Sequence, residues 1–297
     1  VKEVAEGVFV ESSYAPYNLT LIRTSLGAIV VDVPPDPFQA ERWLREAEEV
    51  GGGVRYVVLT DGGLARQFGT TGIGYSVPII AAEETLRIIQ TYYGDERIAR
   101  EFVEACSAHY PYAQTEGEPV LPPRPALAFN RSFAFHDDGR EISFEVINGV
   151  RRGSLWVLVR DVGVLIAGET VVADGVPDMS ETPDSAAWLS TMTALAHRAA
   201  VRGIVPGRGP FLRSRAALEP QREFMRVMRR TARALARPRG DGLGLAQAAR
   251  ELGQAFFNAG GAGAVDQIKA GLAHLVEEVQ RRRAQPQEDT PSVEEGA

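Results

Sequence analysis

Cysteine is almost missing from this chain: Cys106 is the only one in 297 residues, so no internal disulfide can form. Stability must therefore come from an apolar core, and the expected setting is a reducing compartment. Lysine is nearly absent too, at Lys2 and Lys269 only, and arginine supplies almost all the positive charge. That bias is compositional and carries no functional weight. There is no basic excess either, since the formal net charge is -7, which argues against a general nucleic-acid coat. No apolar run has bilayer-spanning length, and Val1-Lys2-Glu3-Val4-Ala5-Glu6 has no signal-like core. The expectation is a soluble, cytoplasmic protein with no membrane partner.

Common catalytic motifs are missing as well. Gly69-Thr70-Thr71-Gly72-Ile73-Gly74 is a glycine-rich turn without the lysine of a phosphate loop or the order of a dinucleotide fingerprint. No Gly-x-Ser-x-Gly nucleophile elbow occurs. Cys106 and His109 lie three apart, yet nothing nearby supplies an orienting group or oxyanion donors, so packing is the simpler account. His136 beside a turn and His197 within a helix read as surface or packing residues.

What is present is an α/β alternation. Apolar runs at Val8-Phe9-Val10, Leu19 to Ile22 and Ala28 to Val33 predict three strands. Asp36 before Pro37 caps a helix through Phe38, Trp43, Leu44 and Ala47, which Gly51-Gly52-Gly53 ends. A strand from Val54 to Leu59 follows, then a loop to Gly69, then a strand over Val77 to Ala81. Helical spacing runs from Glu83 to Val103 with a break near Gly94, and the prolines between Glu116 and Pro125 make an extended connector.

The second half restarts with strands over Leu127 to Phe135, Ile142 to Ile147, Leu155 to Val159 and Val162 to Ala167, whose turns predict antiparallel pairing. A helix covers Ser185 to Ala200. After Pro210 only helices remain, at Arg213 to Arg237, Leu243 to Phe257 and Val265 to Arg283. The first is rich in arginine, but Glu219 and Glu223 interleave with the arginines, so a solvated face is preferred to nucleic-acid binding. Gly242 to Gly253 faintly resembles the start of a helix-turn-helix, with no recognition helix after it. Gln285 to Ala297 is polar and acidic, a composition expected to be disordered.

One stretch carries a resemblance. Thr60-Asp61-Gly62-Gly63-Leu64-Ala65-Arg66-Gln67-Phe68-Gly69 is similar to the metal-binding loop of the metallo-β-lactamase superfamily, Thr-His-x-His-x-Asp-His-x-x-Gly. The first Thr and last Gly are kept, while the ligand positions fall on Asp61, Gly63, Ala65 and Arg66. Later landmarks recur in order. Gly149-Val150-Arg151-Arg152-Gly153-Ser154 resembles the family's Gly-His-Thr-x-Gly-Ser turn, with Val150 at the histidine. Gly168-Glu169 resembles its Gly-Asp, and Pro206-Gly207-Arg208-Gly209 its Pro-Gly-His-Gly. Residues Asn18 to Asp32 resemble its opening hairpin.

The resemblance implies a four-layer αββα sandwich of two mixed β-sheets flanked by helices, with a C-terminal helical extension. It implies a domain over residues 1–212 and the extension over 213–284, with the acidic tail read from composition over 285–297. Of the seven ligand positions only Asp61 and Glu169 can still bind a cation, and two have become arginines. Zinc needs at least three imidazole, thiolate or carboxylate ligands, so the expectation is no metal, no cofactor and no metal-activated hydroxide. Magnesium can use two carboxylates with water, but Arg66 and Arg208 oppose it.

With the fold kept, Asp61, Arg66, Glu169 and Arg208 are expected to converge, so that guanidinium groups take over the metals' structural role. Two versions stay open: a closed salt-bridge cluster, or an arginine available to a small anionic ligand. Three functions stay open with them. The first is a non-catalytic binding or scaffolding protein, with a homodimer as its candidate assembly; the second is a metal-poor hydrolase of an ester, lactone or thioester; the third is a regulator acting through its helical extension.

Overall fold

The alternating apolar residues of the first third form three neighbouring strands, as their period predicts. A computed structural model describes residues 1–14, 16–108, 120–237, 244–258 and 262–284. His109, the start of the proline connector, the turn at residues 240–242 and the acidic tail lie outside the described residues.

The first sheet runs β1 (Lys2–Ala5), β2 (Val8–Glu11), β3 (Leu19–Thr24), β4 (Gly27–Val31), β5 (Val54–Val58), β6 (Ile79–Ala82) and β7 (Leu127–Phe129), in that spatial order. Its first four strands pair antiparallel, and β4 to β7 pair parallel. Between β4 and β5 lies α1 (Pro37–Gly51), whose first turn is capped by the Asp36 carboxylate accepting from the Phe38 and Gln39 amides. Gly52, at φ 74°, closes it. Helices α3 (Glu83–Gly94) and α4 (Glu96–Ser107) follow β6 and are separated at Asp95, which caps the second.

The second sheet has the order β12 (Gly203–Val205), β11 (Val164–Ile166), β10 (Leu155–Val159), β9 (Arg140–Val146) and β8 (Ser132–Asp137). All neighbours are antiparallel except the parallel pair β11 and β12. Helix α5 (Ser185–His197) connects them, and its Trp188 side chain is buried.

The sheets pack face to face. Val10, Ile22, Val31 and Val58 from one meet Phe144, Val157 and Ile166 from the other in one apolar cluster. The opposite face of the first sheet buries Leu21, Val30 and Val57 against Trp43 and Leu44 of α1. Because adjacent residues of a strand point to opposite faces, β3 and β4 feed both clusters at once. This is the αββα sandwich that the resemblance implies.

Two local expectations are corrected. The run Leu127 to Phe135 is not one strand: β7 ends the first sheet and β8 edges the second, with the chain crossing at Asn130-Arg131. The period-two pattern runs through both and carries no mark of a change of partner; Phe129 and Phe133, 4.8 Å apart edge to face, pack across the crossing. The loop expected up to Gly69 holds α2 (Leu64–Thr70). Gly69 allows that helix to press on Pro34, whose carbonyl oxygen would lie 2.0 Å from an added Cβ.

After β12, α6 (Glu219–Leu235), α7 (Leu245–Phe257) and α8 (Ala262–Ala284) complete the described chain. By contacts the chain divides into Val1–Pro177 with Glu181–Met225, and Asp178–Ser180 with the chain from Arg226 onward. In the second unit Ala248, Leu252, Ile268 and Leu272 are buried, and Gly271 lies close to Met228 and Met179. Among the described residues, no helix is long and apolar enough to cross a membrane.

Candidate functional site: a guanidinium and carboxylate cluster at the strand ends

Parallel strands β4 and β5 end side by side, and their next residues build the site. Asp32, at φ 62°, turns the chain after β4. Its Oδ1 accepts from the Thr60 amide at 2.9 Å and its Oδ2 from the Thr60 hydroxyl at 2.6 Å. Three residues past the loop's Gly63, the first turn of α2 delivers Arg66 onto the same carboxylate. Arg66 Nη1 lies 3.3 Å from Asp32 Oδ2, and Nε lies 3.6 Å from Asp61 Oδ2. All three side chains are buried. Asp61 Oδ1 accepts the Gly63 amide at 2.7 Å, fixing the turn before the helix.

The electrostatics follow from burial. Burial pushes the Asp32 carboxyl up to about 6, outweighing the Arg66 charge and the Thr60 hydrogen bonds that pull it down. Burial opposes the Arg66 charge too, but Asp32 and then Asp61 more than restore it, so its pKa is raised. The two partners thus shift differently. One cation is shared by two carboxylates through ion pairs alone, for Nη1 and Nη2 of Arg66 are buried without a hydrogen-bond partner among the described residues. At neutral pH both remain ionised.

A second ion pair closes the later loops. Glu169 sits in a 3-10 turn after β11, held where the Thr170 carbonyl accepts from Trp188 Nε1 at 3.1 Å and from Gln221 Nε2 at 3.0 Å. Arg208 Nη2 lies 3.1 Å from Glu169 Oε2 and donates to the Val176 carbonyl at 3.0 Å. Asn18 clamps the loop that carries Arg208: its Nδ2 donates to the Pro206 and Gly209 carbonyls at 2.9 and 2.7 Å.

Among the described residues, no hydrogen bond or ion pair links Arg66 and Asp61 directly to Glu169 and Arg208. The four residues therefore form two separate pairs rather than one ring. Charge still couples them, since Glu169 helps to raise the Arg66 pKa and Tyr17 feels Arg66, Glu169 and Asp61 together. The Tyr17 ring stacks 4.3 Å from the Arg66 guanidinium, and its hydroxyl pKa is raised by burial in the company of Arg66, Glu169, Asp61 and Arg151.

The remaining positions carry no donor. Gly63 gives its amide to Asp61, and a side chain there would meet Asp61 Oδ1 at 2.7 Å. Val150 is 1% exposed and purely apolar. It follows Gly149, at φ 93°, where an added Cβ would fall 2.1 Å from the Trp188 amide nitrogen. Ala65 faces a cavity of about 480 Å³ whose walls include Tyr17, Leu64, Phe68 and Cys106, with Arg151 and Glu181 at 2.5 Å from each other. Burial pushes the Cys106 thiol up to about 12, so it is a wall and not a nucleophile.

Asp32, Tyr17, Asn18 and Arg151 are the site residues that the ligand pattern does not indicate. In the sequence, Asp32 marks only the end of a hairpin. A carboxylate directly after a strand buried at every position is the signal that marks it.

The residues do not fit the two-metal centre of the family at these positions. Asp61 and Glu169 each have an oxygen engaged by another group, two positions place guanidinium charge there, and three offer no ligand atom. Among the described residues, no three His, Cys, Asp or Glu side chains group closely enough to hold a metal ion.

Strand order, sheet pairing and the loops that meet at the strand ends together define a metallo-β-lactamase fold. The structure is similar to a metallo-beta-lactamase family protein from Thermus thermophilus, at 16% identity and a TM-score of 0.65 over 95% of this chain and 96% of that one. It is also similar to a stereoselective inverting sec-alkylsulfatase from Pseudomonas sp., at 15% identity and a TM-score of 0.64 over 93% of this chain and 49% of that one. A third likeness is to the DIM-1 metallo-beta-lactamase, at 16% identity and a TM-score of 0.57 over 76% and 96%. At such identities the likeness establishes the fold alone. No protein-family model matches the sequence, and no curated protein does.

Proposed function

We propose that this chain is a metal-independent, non-catalytic binding protein built on the metallo-β-lactamase fold, with arginines in the structural place of the metals. The observation that carries this reading is the buried Arg66 guanidinium between Asp32 and Asp61. A cation there would have to displace or repel a side chain already neutralised by the same carboxylates. Of the two versions left open by the sequence, the paired geometry of Arg66 and Arg208 supports the closed cluster over an arginine held ready for an anion. The hydrolase alternative needs an activated nucleophile, and the cavity beside the cluster offers only the neutral Cys106 thiol and a Tyr17 hydroxyl of raised pKa.

The test is elemental analysis of protein purified without chelator, run beside a chromogenic ester panel. The expected result is sub-stoichiometric zinc, iron and manganese with no turnover. Arg208→Ala should lower the melting temperature without changing metal content. Stoichiometric metal, or ester turnover abolished by Asp61→Ala, overturns the reading.

A further inference from the structure

The cavity beside the cluster has the size of a small-molecule site, since such sites commonly span about 300–1,000 Å³. Its walls are mostly apolar: Pro16, Pro35, Leu64, Phe68 and the neutral Cys106 thiol surround Ala65. Where the two-metal pattern projects an aspartate, this chain has the methyl group of Ala65, so the position is both smaller and uncharged.

Charge decides what such a cavity accepts. Among its described lining residues only Arg151 and Glu181 are charged, and they neutralise each other. Beyond that pair, the lining Tyr17 feels one cation, Arg66, against two carboxylates, Glu169 and Asp61. An anion entering would lose its hydration and meet a field that is neutral to negative.

Building on the metal-independent reading above, we propose that this cavity binds an uncharged, largely apolar small molecule of about two to three aromatic rings. Apolar contact with Leu64 and Phe68 supplies the attraction, and the neutral Tyr17 hydroxyl and Arg151 are the polar groups available to orient it. The ligand is selected by shape and by lack of charge, which reverses the anion expected from the arginine count alone.

A matched probe pair tests this: N-phenyl-1-naphthylamine, which is uncharged, and 8-anilinonaphthalene-1-sulfonate, the same ring system carrying a sulfonate. Fluorescence titration of the full chain should show saturable, one-to-one binding of the neutral probe, with the sulfonate weaker by roughly tenfold or more. Ala65→Phe should abolish neutral-probe binding, and Ala65→Leu should weaken it, with near-ultraviolet circular dichroism confirming that each variant folds. Tighter binding of the sulfonate overturns the proposal, as does failure of the neutral probe to saturate, or binding unchanged in a folded Ala65→Phe. The readout is independent of metal content. Neutral-probe binding by a protein found to hold stoichiometric metal would sink the functional reading and spare this one, whereas absence of binding in metal-free protein would sink this one alone.

Discussion

Nη1 of Arg66 stands 3.3 Å from Oδ2 of Asp32, and each side chain is almost wholly shielded from solvent. A buried pair of this kind contributes little net stability while intact, because desolvation offsets the Coulomb attraction. Breaking it is another matter. Arg66→Met leaves Asp32 and Asp61 buried without a counter-charge, and the expected loss is about 3–5 kcal/mol in chemical denaturation. The triple variant Arg66→Met, Asp32→Asn, Asp61→Asn should recover much of it. A loss below about 1 kcal/mol for the single variant would show that the guanidinium does not neutralise these carboxylates.

The same pair sets a pH dependence. Asp32 holds its proton more tightly when folded, at about 6, than at its ordinary value of 3.8. Its favourable contribution is therefore full below about pH 4 and is lost as pH rises through about 6. Ionising it in the folded state costs on the order of 3 kcal/mol. Unfolding free energies measured from pH 4 to pH 7 should fall more steeply for the native chain than for Asp32→Asn. Parallel curves for the two proteins would remove Asp32 as the cause.

Asn18 ties the opening hairpin to the Arg208 loop by two side-chain hydrogen bonds to carbonyls. Asn18→Ala leaves both acceptors without that donor, at an expected cost of about 1–3 kcal/mol. Amide exchange in residues 206–209 should accelerate relative to the strand β12 before them. Unchanged exchange in that peptide would mean the loop is held by other contacts.

Cys106 is 1% exposed, and its thiol is pushed up to about 12. At pH 8 an exposed cysteine is roughly a quarter thiolate, whereas this one is almost entirely protonated. Iodoacetamide should label the native chain at least ~100-fold more slowly than the denatured chain. Rapid native labelling would place the thiol in a different environment and reopen it as a nucleophile.

Local elements were legible because local rules govern them. Asp36-Pro37 marks the start of α1 through the amides it satisfies and the backbone angle it sets. Leu155–Val159 is a strand buried at every position, and a continuous apolar run is how such a strand reads. The division of residues 127–137 between two sheets was not legible, because both halves alternate alike and only the choice of neighbour differs. Asp32 was hidden for a related reason: its partners Thr60 and Arg66 come from elements that β4 and β5 align.

From the sequence came the α/β alternation, and from its resemblance to a known family the αββα expectation and the replacement of five ligand positions by residues without a metal-binding atom. The alternation follows from residue identity and short-range pattern, and the rest from motifs matched in order. Only tertiary structure decided which carboxylate each arginine meets, that two pairs form instead of one ring, and that Tyr17 stacks on Arg66. Ion pairing between distant loops depends on ångström-scale distance and burial, and those are properties of the packed sheets.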